Sequence, residues 1–292
     1  MRTNVVEQLT APGGGRPLKV ASIIEKQAEE IIRGTVLSPE QGLYQIREGI
    51  LDLLPQGAGT LSPAQVSNSL WPTAQFYEWP WRSNTLTVFS GQAFPFSRER
   101  FIFNDMLGDV GGGLWLDLAA STALYGRWLA DRLAEKQHWG HPRGEVVVLD
   151  YALPMLRRAR HFVTAESKEK GHRNISFVIA RGEALPFATG TLDGVVCGGS
   201  LNEFGTQKVS LVLHEVARAL REGGVGLFMH LLTAEKKVGR VMQRYIAAPG
   251  GIAFWNREET KQLFEQAGLV VEEERHFGVV AFTRLRKFRN EN

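Results

Sequence analysis

Residues 111–130 read GGGLWLDLAASTALYGRWLA. The apolar run Leu114–Leu118 predicts a buried strand, the small residues Ala119–Ala123 a tight turn, and the stretch from about Leu124 to Lys136 a helix. Asp117 stands where the strand ends. In such a unit the N–H groups of the turn and the helix N-terminus converge on one point, where a ligand can be cradled. A dinucleotide turn carries glycines at alternating positions, but here Ala119, Ser121 and Ala123 take those places. Small side chains still permit close approach, although each Cβ removes some of glycine's backbone freedom. The plain alternative is a tight strand–helix turn with no ligand.

Downstream, the pattern alternates. GEVVVLD (Gly144–Asp150) is a continuous apolar run of the kind buried on both faces of a sheet. A helix follows over Pro154–Glu166, then strands at Ile175–Ile179 and Leu192–Cys197, a helix over Val209–Leu220 and a strand over Val225–Leu231. A helix at Arg257–Ala267 precedes two runs around Gly278, Val270–His276 and Val279–Leu285, that read as an antiparallel hairpin. This order predicts an α/β fold with a mostly parallel sheet, helices on both faces and a C-terminal antiparallel hairpin. Asp150 ends the second strand, where a carboxylate can accept from both hydroxyls of a ribose or cap the next helix. Gly198, Gly199, Ser200, Asn202 and Glu203 follow the fourth strand. All these groups belong to the carboxyl edge of the sheet, the usual ligand edge of an open α/β fold.

Upstream, Val20–Arg33 is expected to form a short helix on Ile23, Ile24, Ile31 and Ile32, and Gly42–Pro55 a small β-rich element. Gln56–Thr60 reads as a linker. Residues 61–110 are rich in aromatics, among them Trp71, Tyr77, Trp81, Phe94 and Phe103. They suit a helical layer packed on the main domain, a lid over a pocket, or both.

The 292 residues suffice for one large domain or two smaller ones. With Lys+Arg 34 against Asp+Glu 31, the net charge of +3 exerts no global pull on nucleic acid. A basic cluster at Arg284, Arg286, Lys287 and Arg289 could touch phosphates or an anionic membrane weakly, or simply be solvated. The single cysteine, Cys197, excludes a disulfide framework and a cysteine-type zinc site, and it fits a reducing cytoplasm. The first residues show no secretory pattern, and no run is long and apolar enough for a transmembrane helix.

Several of these segments together resemble one family. WLDLAAST is similar to VLDLGCGTG of the class I S-adenosylmethionine-dependent methyltransferases, the type 11 group. VVVLDYALPMLRRAR, RGEALPFATGTLDGVV and VLHEVARALREGGVGLF are similar to that family's following motifs, in order. The resemblance covers Gly111 to about Leu285 and implies a Rossmann-like fold with a seven-stranded sheet. It implies that residues 111–292 form the methyltransferase domain, 61–110 a helical aromatic lid, and 1–60 a relict of the small zinc-ribbon-like domain of some relatives, here without cysteines or metal. YEWPWR, with Tyr77, Trp81 and Arg82, is similar to the lid helix of those relatives.

The implied cofactor is S-adenosylmethionine. Its methionine part would meet the turn from Asp117 through Ala119, Ala120, Ser121 and Thr122, its ribose Asp150, and its adenine Tyr151, Met155 and the Arg181–Gly182–Glu183 edge. Ser200 and Asn202 would lie where donor faces acceptor, with Glu203, His230 or His214 as candidate bases. Two departures stand out: the turn lacks its glycines, and Arg181, which cannot accept a hydrogen bond, replaces the usual acidic partner of the adenine amino group. The expected activity is methyl transfer to a small apolar or aromatic acceptor, quinone-like, phenolic or lipid-like. A binding or regulatory module without turnover, or less favoured an RNA methyltransferase, are the alternatives; no stable nucleic-acid partner is expected.

Overall fold

The computed structural model describes residues 1–54, 66, 70–140, 142–170 and 174–288. The Gln56–Thr60 linker and Arg289 lie outside them.

The sheet runs through the whole chain. It is built from β1 (Lys19–Gln27), β2 (Glu30–Ser38), β3 (Gly42–Arg47), β4 (Ile50–Asp52), β5 (Gly113–Leu118), β6 (Gly144–Asp150), β7 (Ile175–Ile179), β8 (Leu192–Gly198), β9 (Leu220–Leu231), β10 (Leu269–Phe277) and β11 (Val280–Lys287). Their order is β1-β2-β3-β4-β7-β6-β5-β8-β9-β11-β10. Neighbours from β4 to β9 pair in parallel; both ends are antiparallel. The seven strands expected from residue 111 onward are β5–β11. The sequence reading does not foresee that the N-terminal strands join the same sheet, Ile50–Asp52 pairing with Phe177–Ile179 and bringing the total to eleven.

One expectation fails here. Val20–Arg33 is not a helix but most of the β1–β2 hairpin. The isoleucine doublets fit either period, but β-branched side chains lose rotamer freedom in a helix and pack well on a pleated surface. In β2 the alternation shows from Gly34 to Ser38, with Gly34, Val36 and Ser38 buried, Thr35 half-buried and Leu37 exposed.

The described helices are α1 (Thr3–Val6), α2 (Trp71–Phe76), α3 (Ser83–Ser90), α4 (Phe96–Leu107), α5 (Leu124–His138), α6 (Leu153–Lys170), α7 (Gly205–Ala219), α8 (Lys237–Gly250) and α9 (Arg257–Gln266). A π-helical stretch, Tyr77–Arg82, joins α2 to α3. Each central strand is apolar on both faces, so the sheet is sandwiched. Leu114, Leu116 and Leu118 of β5 pack with Val212 and Val216 of α7 and Phe264 of α9. Trp115, on the opposite face, joins Leu129 and Leu133 of α5 and Phe103 of α4. The aromatics of 61–110 divide accordingly. Phe94 stacks on Phe282, and Phe103 meets Tyr125 edge-on, whereas Phe76 and Phe101 are exposed.

Two helix starts show how these elements are held. Asn256 caps α9 by accepting from the Glu259 N–H at 2.9 Å, while Glu259 accepts from the Asn256 N–H at 2.7 Å, a reciprocal box worth about 1 kcal/mol. Helix α5 has no such cap. Its N-cap is Ala123, and the Gly126 N–H goes instead to Oδ2 of Asp117, 2.7 Å away on β5. A Cβ at position 126 would sit 2.8 Å from that oxygen, so glycine is required there.

Candidate functional site

The chain passes outward through β5, β6 and β7, then returns to β8 on the other side of β5. At this reversal the loops at the carboxyl ends of β5 and β8 part and leave a crevice. Two narrow clefts open there, and both are lined by Ala119.

The first cleft is lined by Leu118, Asp150, Tyr151, Arg181, Gly182 and Glu183, among others. Asp150 is nearly buried, and both carboxylate oxygens already accept backbone donors: Oδ2 from the Ser121 N–H and Oδ1 from the Ala152 N–H, each at 2.8 Å. Burial pushes its pKa up to about 6, against the pull of these N–H groups. The Tyr151 N–H donates to the same carboxylate, so three of its four lone pairs meet backbone donors and one is left for a ribose hydroxyl. Glu183 pairs with Lys208 at 2.9 Å. Met155 does not reach the cleft; it is fully buried and packs with Ala74 of α2, behind Tyr77 and Tyr151.

The second cleft is lined by Asp117, Ala119, Ser121, Thr122, Tyr77 and Arg82, among others. Its floor is the glycine-less turn. Ala119, Ser121 and Ala123 all adopt left-handed backbone, with φ of 49°, 49° and 60°. That region costs an L-residue about 1–2 kcal/mol, and the surroundings hold the turn in it. The Ala120 N–H donates to the Leu149 carbonyl at 3.0 Å, and the Ser200 hydroxyl donates to the Ala119 carbonyl at 2.9 Å. Asp117 is buried beneath, and desolvation raises its carboxyl to about 8.

The roof is the π-helical stretch. Tyr77 hydrogen-bonds Ser121, and burial holds its hydroxyl above the usual range. Glu78 accepts from the Thr122 hydroxyl at 2.7 Å and from the Arg127 guanidinium, which also binds Glu166. Arg82 donates to the Gly198 carbonyl at 2.7 Å and pairs with fully buried Glu99 at 2.5 Å. The Tyr125 hydroxyl also donates to Glu99, at 3.0 Å. A wound π-turn presents Tyr77, Glu78 and Arg82 downward together, consistent with the tendency of such turns to occur at sites. The sequence reading names Tyr77 and Arg82 but misses Glu78, Glu99 and Tyr125; charged residues inside an aromatic segment are the available signal. The side chain of Trp81 lies outside the described residues.

Besides Met155, other candidate residues are not brought to the clefts. His230 is fully buried on β9, its Nε2 at 2.9 Å from the Thr283 hydroxyl and its ring edge against Phe264. Burial lowers its pKa to about 3, so it stays neutral and has no access to a substrate. Asn202 does not face an acceptor either. Its amide donates to the Leu231 and Ala253 carbonyls at 2.8 and 2.6 Å and accepts from the Leu231 N–H, tying β9 to the loop before α9. Glu203, half-buried after β8, remains near Tyr77 through its charge. His214 is exposed on α7. The basic C-terminal cluster is occupied: Arg284 and Arg286 pair with Glu272, and Lys287 donates to the Leu220 carbonyl at 2.6 Å.

Residues 116–224 match the methyltransferase domain family. Over this part, the chain is similar to methyltransferase domains. The chain is 30% identical over 150 residues to an uncharacterized chloroplastic methyltransferase of Arabidopsis thaliana, covering 51% of this chain and 39% of that protein. It is 36% identical over 118 residues to the demethylmenaquinone methyltransferase of Lactococcus lactis, covering 40% of this chain and 42% of that protein. The chain thus spans about two fifths of the length of these curated relatives. The chain's fold is similar to a crystal structure of an S-adenosylmethionine-dependent methyltransferase from Aquifex aeolicus, with a TM-score of 0.52 at 16% identity, covering 74% of this chain and 97% of that one. Among the described residues, no helix is long and apolar enough to cross a membrane.

Proposed function

We propose that the protein transfers a methyl group from S-adenosylmethionine to a small apolar or aromatic acceptor. The observation that carries this reading is that both clefts are lined by Ala119, with Asp150 on one side and the turn 119–123 on the other. The chemistry of the lining fits the cofactor: a carboxylate for a ribose hydroxyl, a turn of small residues for the methionine part, and an open edge at Tyr151 and Arg181–Glu183 for the adenine. When bound, the donor supplies an already electrophilic methyl carbon. The protein's part is then to align and to exclude water. Tyr77 and Arg82, clamped by Ser121 and Glu99, roof the second cleft, and Ser200 holds the bend that forms its floor. Glu203 is the candidate proton acceptor, should the acceptor atom carry a proton.

The 36%-identical demethylmenaquinone methyltransferase supports a quinone-like acceptor over other apolar ones. The free, buried Cys197 suits a reducing compartment such as the cytoplasm. We take residues 1–60 as a small N-terminal domain, a zinc-ribbon-like remnant without cysteines, 61–110 as the lid and 111–292 as the catalytic domain. Calorimetric titration with S-adenosylmethionine and S-adenosylhomocysteine tests the reading. Saturable heat that is lost in Asp150→Ala is expected; no heat at high micromolar ligand overturns it.

A second reading, a binding module without turnover, is favoured by one observation: the turn carries three non-glycine residues in left-handed backbone. The two separate when the protein is offered labelled donor and a metabolite extract. Label transfer supports the enzyme, whereas binding without transfer supports the module. RNA as substrate is not favoured, because Glu272 and the Leu220 carbonyl occupy the basic cluster at Arg284–Lys287.

A further inference from the structure

Helix α8 is built inside out. It leaves the carboxyl end of β9 and returns to α9, so it borders the same edge of the sheet as the clefts. Its described residues touch the body through few groups. The Gln243 side chain is buried, accepting from the Ala234 N–H at 2.8 Å and donating to the Leu232 carbonyl at 2.7 Å. Gly239 abuts Ala234, where a Cβ would come within 2.7 Å.

The apolar side chains lie elsewhere. Val238, Val241, Met242 and Tyr245 are 73%, 45%, 53% and 79% exposed. At 100° per residue they fall within an arc of about 100°, roughly opposite Gln243. A helix of a globular protein normally buries such a stripe. Here the stripe faces solvent, and Gln243 occupies the buried side. Cations flank it on one side: Lys237 and Arg244 are exposed, with Lys236 just before the helix, while Arg240 lies nearer the buried side and donates to the Ala234 and Glu235 carbonyls. Glu235 is the one acidic residue in the segment 235–250.

We propose that α8 is an interfacial helix that lays this stripe into an anionic lipid surface. The charge pattern selects that occupant. An apolar arc of about 100° with a cationic flank and almost no acid matches an anionic headgroup layer, where each cation near the surface adds about fivefold in binding. At 14 residues the helix is too short to span a bilayer. Through Asn202, which bonds both Leu231 and Ala253, the root of α8 is tied to the loop that follows β8 at the clefts. Docked this way, the sheet edge that bears the clefts faces the lipid. The inference goes beyond methyl transfer and needs no donor.

The test is sedimentation of the full chain with phosphatidylcholine vesicles, with and without phosphatidylglycerol, and without cofactor. Binding is expected only to the anionic vesicles and should weaken as salt is raised. Val241→Ser with Met242→Ser should reduce it about tenfold or more, and Lys237→Ala about fivefold. Neither change touches a buried group, so thermal melting should not move. Tyr245→Trp should show blue-shifted emission on the same vesicles. If the wild type stays in the supernatant, or if the double variant binds undiminished, the proposal fails. It also fails if α8 variants instead abolish a concentration-dependent dimer seen in ultracentrifugation without lipid, which would assign the stripe to a second copy of the chain.

Discussion

The two clefts that share Ala119 are built on different principles. Around Asp150 the backbone is ordinary, and the polar groups on the wall are satisfied by local N–H donors or a surface lysine. Under the π-helical roof, three residues hold left-handed backbone, Asp117 is buried next to a helix start, and a buried Arg82–Glu99 pair closes the ceiling. One half is held by ordinary hydrogen bonds between the ends of neighbouring strands. The other depends on the body of the protein to hold strain and charge in place. Changes in the roofed half should therefore register first as stability, and changes at Asp150 first as binding.

The largest effect is expected for Glu99→Ala. It leaves the Arg82 guanidinium buried with only the Gly198 carbonyl, and removing one partner of a buried pair costs about 3–5 kcal/mol. Urea unfolding checks this; a loss below about 1 kcal/mol would mean that water reaches Arg82. Next comes the pH dependence of the roofed half. Asp117 has its folded pKa raised to about 8 by burial, against about 3.9 for a free carboxyl, so the folded state binds the extra proton between those values. Stability should then fall as pH rises from about 4 to 8, by at least about 2 kcal/mol. Asp150 adds to the same slope only up to about pH 6. Asp117→Asn, which retains an acceptor for the Gly126 N–H, should flatten the upper part of the curve, as measured by denaturation at pH 5 and pH 8.

Asp150→Ala should weaken donor binding by about 1.5–3 kcal/mol, the range of hydrogen bonds to a charged group. It also strips an acceptor from the Ser121 and Ala152 N–H groups, so melting is read alongside calorimetry. The smallest effects should come from restoring glycine. Ala119→Gly relieves left-handed strain and should stabilise by about 0.5–1 kcal/mol after glycine's own entropy cost. Ala123→Gly should be near neutral, because it also gives up a fully buried methyl worth about 0.8 kcal/mol. If both variants destabilise equally, the turn's conformation is not the source of the contrast.

Much of this arrangement is legible in the residues. The run Leu114–Leu118, the small turn and the helix after it sit where the apolar periodicity places them, and so does the hairpin about Gly278. Asp150, Tyr151 and Arg181–Glu183 do line one cleft. The misreadings share one cause. Ile23–Ile24 and Ile31–Ile32 satisfy a helix period and a strand period alike, and only pairing with β3 and, through β4, with β7 decides between them. Polar side chains are harder still. His230 and Asn202 stand at positions that suit chemistry, yet one is sealed between β9, β11 and α9 and the other is spent on three backbone bonds.

By itself, then, the chain's pattern of apolar runs and small-residue turns determined the α/β order from residue 111 onward, because burial on both sheet faces leaves a periodic mark that local residues carry. It also determined that the turn after β5 would lack glycine. That this turn nonetheless adopts left-handed backbone was decided only by the tertiary structure. So were the capping of α5 by Asp117, the placing of Glu78 and Arg82 over the cleft, and the outward-facing stripe of α8. The reason is physical: strain, desolvation and long-range ion pairs are set by neighbours distant in sequence, and no local pattern records them.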